Sequence, residues 1–247
     1  MNKTSTLLGA ALAALASTHA LADTSTFAVP EYRGLPGANS GGWERLTVGF
    51  GQPGNVPDLP STLTGATLVQ TVPGAIATGG GNIYQGAGAA AYQVSYNPGE
   101  AVGLVTFQMR TLGTELDYAS VRLAYDVGAG IQFLAPAGRI ELERGPSQGF
   151  PGFNVTSRWD WNLTGTGATS YRIEMTATGP HQSLDSAMLD SAKVGVVPEP
   201  STWALLAAGA ALVAWRMPAR RRLAIAGTAP CRWAPMSRTA AGGSCPP

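Results

Sequence analysis

Between about residues 23 and 196 the chain reads as short runs in which apolar and polar positions alternate. Tyr171, Ile173, Met175 and Ala177 are separated by Arg172, Glu174 and Thr176, the period of two that gives a strand one dry face and one wet face. The run Val121-Arg122-Leu123-Ala124-Tyr125-Asp126 follows the same rule. Strands are predicted over residues 43–50, 63–72, 90–96, 101–110, 120–126, 131–134, 139–143, 154–163, 171–177 and 186–194, divided by Gly, Pro, Asn and Asp. No stretch of this region carries a 3.6-residue period, so the predicted class is all-β, a β-sandwich of jelly-roll type. Gly79-Gly80-Gly81 and Gly86-Ala87-Gly88-Ala89-Ala90 read as a loop leading into a strand. A phosphate cradle would need a following helix with Lys or Ser/Thr, and none follows.

Two other stretches break this pattern. Residues 203–215 contain only Ala, Leu, Val, Gly and Trp, apolar on every side. As a helix the run spans about 20 Å, short of a hydrocarbon core of about 30 Å. Its flanks supply the rest: Trp203 and Trp215 stand at the ends as interfacial anchors, Arg216 can snorkel, and Arg220, Arg221 and Arg222 lie on one side only. A transmembrane helix is predicted over residues 202–217. Just upstream, Pro198 and Pro200 deny the backbone a helix, which makes Val197-Pro198-Glu199-Pro200 an extended stretch accessible to a processing enzyme. At the other end, Lys3 precedes an apolar run over residues 7–16, and Ala20-Leu21-Ala22 forms a small-x-small cleavage site before Asp23. This reads as a secretory signal peptide over residues 1–22.

A Pro-Glu-Pro tripeptide, one apolar segment and a terminal arginine cluster, in that order, resemble the PEP-CTERM sorting signal of bacterial surface and exopolysaccharide-associated proteins. The resemblance covers residues 197–222. It implies that an exosortase-like membrane protease is the partner, that the membrane holds the chain at least transiently, and that the product reaches the cell surface or the extracellular matrix. Members usually stop soon after the basic cluster, whereas here a Pro-, Ala- and Gly-rich tail continues over residues 223–247. Its composition predicts disorder. It reads either as a cytoplasmic extension or as the product of a shifted frame or misplaced stop. The expected organisation is a signal peptide (1–22), an exported sandwich domain (23–196), the sorting signal (197–222) and the tail.

Charge separates along the same lines. Over residues 23–197 nine Lys and Arg face fourteen Asp and Glu, a net of −5, while the whole chain is +1. An acidic domain without a basic patch argues against a nucleic-acid partner. Both cysteines, Cys231 and Cys245, lie in the tail, so no disulfide or thiolate metal site is expected in the domain, and no cofactor motif is found.

Candidate chemistry is sparse. On a strand through Arg158-Trp159-Asp160-Trp161-Asn162 the two indoles share one face and the polar groups the other. Buried, they are core, the usual fate of large aromatics; exposed, they form with Trp43 a sugar-stacking platform for extracellular polysaccharide. Asp185, Asp190, His181, Asp126 and Glu31 could gather oxygen ligands for a calcium ion, but no spaced calcium motif occurs and solvated turn acids are expected; no metal is assigned. His181 is the one imidazole of the domain, in a Gly-Pro turn, and no Gly-x-Ser-x-Gly elbow accompanies it. Glu141 and Glu143 share a strand face, which reads as a polar surface, since acid/base carboxylate pairs come from different strands across a cleft. Asn154-Val155-Thr156 and Asn162-Leu163-Thr164 match the glycosylation sequon, a pattern to which the bacterial export implied by the resemblance gives little weight. The expected function is a non-enzymatic exported surface or matrix protein. A carbohydrate-binding module is the alternative, and a polysaccharide-modifying enzyme has the least support.

Overall fold

The computed structural model describes residues 26–147 and 151–195. The predicted signal peptide with Ala20 and Ala22, the sorting segment and membrane helix, and the tail lie outside the described residues. Within them there are twelve strands and no helix: β1 Ala38–Trp43, β2 Thr67–Gln70, β3 Ala75–Ala77, β4 Ile83–Gln85, β5 Ala91–Tyr96, β6 Val102–Gly113, β7 Leu116–Asp126, β8 Ile131–Leu134, β9 Arg139–Pro146, β10 Phe153–Asn162, β11 Tyr171–Ala177 and β12 Gln182–Lys193.

They form two antiparallel sheets. One runs β3-β4-β12-β6-β10-β9, with β1 also paired to β12; the other runs β2-β5-β11-β7-β8. β4 takes positions 182–184 of β12 and β1 takes positions 187–192, so the two short strands share one edge of β12 while β6 occupies the other. Numbering β1, β5, β6, β7, β8, β10, β11 and β12 as eight consecutive strands gives layer orders 1-8-3-6 and 2-7-4-5. Inward side chains of both layers meet in one core, with Trp43, Phe107, Trp159 and Leu189 from the first and Tyr92, Val94, Leu123 and Ile173 from the second.

The alternation read from the sequence sets this core. In β11 Tyr171, Ile173, Met175 and Ala177 are buried and Arg172, Glu174 and Thr176 are not. β6 departs from that rule, because Thr106 and Gln108 on its outer face are buried as well as Val105, Phe107 and Met109 on its inner face. The cover is the segment 26–35, which crosses the outside of the first sheet. Ala28 donates its N–H to Gln108 Oε1 at 2.7 Å and accepts from Gln108 Nε2 at 2.8 Å, and Thr26 Oγ1 lies 3.3 Å from Thr156 Oγ1.

Several elements differ from the predicted ones. The strand expected at 43–50 lies at Ala38–Trp43 instead. Beyond Trp43 side chains replace the neighbouring strand: the Asp58 carboxylate accepts from Glu44 N and Arg45 N, both at 2.7 Å, and Asn55 Oδ1 accepts from Thr47 N and Val48 N at 2.7 and 2.8 Å. β3 and β4, three residues each, were not predicted, being too short to display a period. β12 starts at Gln182, four residues before the expected start, because a bulge between Leu184 and Ser186 interrupts the alternation.

Candidate functional site

The structure removes the indole platform. Trp43 and Trp159 are 0% exposed and Trp161 is 2% exposed. Both indoles of β10 belong to the core between the sheets, so the face that carries them is the inner wall of the sandwich. The Trp159 ring stacks on Phe107, centroids 6.3 Å apart, and tilts against Tyr118 from the opposite sheet. Trp161 Nε1 donates to Leu134 O at 3.1 Å, and Trp43 Nε1 to Asn55 O at 2.9 Å. None of the three presents a ring face to a sugar.

The outer face of β10 carries the polar partners. Arg158 Nε and Nη2 donate to Asp160, and Asp160 Oδ1 also accepts from the Thr106 hydroxyl at 2.5 Å. Beside them on β12 lies Asp190, whose side chain is 0% exposed. Arg33 clamps it with two bonds, Nε to Oδ1 at 2.5 Å and Nη2 to Oδ2 at 2.6 Å. Tyr32 donates its hydroxyl to Asp190 O at 3.3 Å. Burial pushes the Asp190 carboxyl above its usual range, against the pull of Arg33. The same pairing raises Arg33. This clamp fastens segment 26–35 to the sheet. No local signal reveals it, since its two halves are 157 positions apart.

The other acids do not converge on Asp190. Asp185, beyond the β12 bulge, accepts from Asn82 Nδ2 at 2.8 Å and faces Arg110 Nη1 at 3.4 Å. Asp126 Oδ1 caps a turn through Gly128 N at 2.7 Å, and Glu31 is exposed on the covering segment. His181 stands at the foot of β12 with φ +61°, its Nδ1 2.9 Å from the Tyr84 hydroxyl.

Glu141 and Glu143 have different partners. Glu141 pairs with Arg139 at 2.6 Å and Arg144 at 2.9 Å, while Glu143 Oε2 accepts from the Thr156 hydroxyl at 3.4 Å. Arg144 also grips Glu115 with two bonds, at 2.7 and 2.8 Å, and Tyr118 donates to Glu115 at 2.6 Å. The result is a cluster linking β9 of one sheet to the start of β7 in the other. Arg144 holds the Glu115 carboxyl down at about 2, with Tyr118 assisting, and Glu141 is lowered by Arg144 and Arg139. Burial, with the Glu115 charge, lifts the Tyr118 phenol to about 12. At neutral pH both carboxylates are ionised, the state of an ion-pair network and not of a proton donor.

The predicted processing and membrane residues, Val197, Pro198, Glu199, Pro200, Trp203, Trp215, Arg216, Arg220, Arg221 and Arg222, lie outside the described residues. They are where the family comparison speaks: residues 196–222 match the model of the PEP-CTERM protein-sorting motif. Comparison of the chain with curated proteins gives no match. The motif implies processing by exosortase, a membrane protein, and with it export and transient anchoring. It follows β12 closely, with Val194 and Gly195 between the last strand residue and the start of the match. The chain thus carries a segment that matches the PEP-CTERM protein-sorting motif, directly after two antiparallel sheets.

Proposed function

We propose that this is a non-enzymatic surface or extracellular-matrix protein, a jelly-roll domain carried out through the inner membrane, held there by the helix over residues 202–217, and released by an exosortase-like protease into an exopolysaccharide-rich matrix or biofilm. The observation that carries the reading is the match of residues 196–222 to the sorting motif. The fold agrees with it: the layer orders 1-8-3-6 and 2-7-4-5 are those of two Greek keys wrapped as a jelly roll. The matrix role rests on the resemblance of the sorting signal. In favour of a non-enzymatic role, the shifted carboxyls of Asp190, Glu115, Glu141 and Glu174 are each held by arginine.

Replacing Glu199 with Ala, or Arg220, Arg221 and Arg222 together with Ala, tests the sorting step in the native host. The expected outcome is loss of the released form and accumulation of the longer chain in the membrane fraction. Unchanged release from both variants contradicts the reading.

A further inference from the structure

The two sequons of this chain meet opposite fates in the fold. Asn154 lies within β10, with β9 on one side and β6 on the other, and its Oδ1 is buried. Thr156 is 0% exposed and lies against Thr26 of the covering segment. The Thr156 hydroxyl that this sequon needs is therefore covered in the fold. Asn162 is the last residue of β10, exposed, and Thr164 beyond it is also exposed. Between them Leu163 is 0% exposed and donates its N–H to Gly103 O at 2.7 Å, so the tripeptide is pinned at its centre with both functional side chains outside. Asn162 Oδ1 accepts from Thr164 N at 2.9 Å, a bond that engages the amide oxygen and not the nitrogen that would carry a sugar.

We infer that Asn162 is a glycan acceptor, modified on the exported domain by transfer of an oligosaccharide from a polyprenyl-pyrophosphate donor. In that step Asn162 Nδ2 attacks the anomeric carbon of the first sugar. The C–N bond forms as the C–O bond to pyrophosphate breaks, the amide gives up one proton, and polyprenyl pyrophosphate leaves; no oxidant or reductant is involved. Asn154 is not an acceptor, since the Thr156 hydroxyl of its sequon is buried beneath Thr26. The inference rests on the export reading above.

Trypsin separates the two positions, because cleavage after Arg144, Arg158 and Arg172 places Asn154 in residues 145–158 and Asn162 in residues 159–172. Mass spectrometry of the protein recovered from its native host is expected to show residues 159–172 shifted by hexose- and N-acetylhexosamine-class increments and residues 145–158 unshifted. Asn162→Asp retains an oxygen for the Thr164 N–H, so it preserves the turn while removing the acceptor nitrogen, and it is expected to lose the shift entirely. An unmodified 159–172 peptide, a sugar on 145–158, or a shift that survives in Asn162→Asp overturns the inference. The same digest reports whether the chain begins at Asp23. An unshifted peptide from a chain cut there refutes glycosylation alone, whereas an uncut chain with no shift refutes export as well.

Discussion

Arg33→Met isolates the clamp that fastens segment 26–35 to the sheet. The substitution keeps most of the aliphatic length of the side chain and deletes the guanidinium, leaving the 0%-exposed Asp190 carboxylate without the two bonds at 2.5 and 2.6 Å. Removing one partner of a buried ion pair costs about 3 to 5 kcal/mol. The Arg33 side chain is 23% exposed, so water reaches part of the site and the low end applies, about 3 kcal/mol, or about a hundredfold in the folded-to-unfolded ratio. In urea this lowers the midpoint by about 1.5 M for a slope of about 2 kcal/mol/M. The pH dependence carries the diagnosis. The Asp190 carboxyl is raised above its ordinary value in the fold, and losing Arg33 raises it further, so protonation relieves the variant as pH falls below neutral and its deficit shrinks. Arg33→Met/Asp190→Asn, with the charge removed from both sides, is expected to recover part of the loss at pH 7. A deficit under about 0.5 kcal/mol at pH 7, or one that does not depend on pH, refutes the claim that this pair holds the segment.

Trp159→Ala removes a fully buried indole packed on Phe107 and Tyr118 and is expected to cost about 3 to 5 kcal/mol in denaturant midpoint measurements, the scale of a buried Trp truncation; a change below about 1 kcal/mol would place the indole at the surface. Glu115 has its carboxyl lowered in the fold from 4.5 to about 2, so its pairing stabilises the domain above its unfolded value and that contribution is lost as pH falls through this window. The advantage of the native chain over Glu115→Gln is expected to be about 1 kcal/mol at pH 6, solvent screening of the half-open cluster keeping it small, and to vanish towards pH 2; a constant difference across that range contradicts the assignment.

The elements that the sequence displays most clearly are those in which nothing interrupts the alternation. The ranges 131–134 and 171–177 coincide with β8 and β11. Where a bulge intervenes, as in β12, the apparent start slips, and where a glycine pair continues a strand, as Gly41 and Gly42 do in β1, the period has nothing to act on. Gly42 lies close to its neighbours there: a Cβ would come within 2.7 Å of Leu59 Cδ1, 3.0 Å of Met188 Cε and 3.2 Å of the Ala187 carbonyl oxygen. The pattern around Trp159 and Trp161 places both indoles on one face but is silent on which face is covered; that follows from the packing of the second sheet against it. The Arg33–Asp190 clamp joins the first described segment to the last strand, a contact no window of local sequence contains. The sorting motif is legible in full, because its recognition depends on the linear order of a tripeptide, an apolar run and a basic cluster, and not on packing.

Sorting is tested most directly by intact mass and terminal peptide mapping of the protein recovered separately from the membrane and the medium of its native host. The account predicts a released chain that begins at about Asp23 and ends in the region of Pro198, Glu199 and Pro200, without the apolar run, the arginine cluster or the tail. A released chain that still carries residues 203–247 contradicts it.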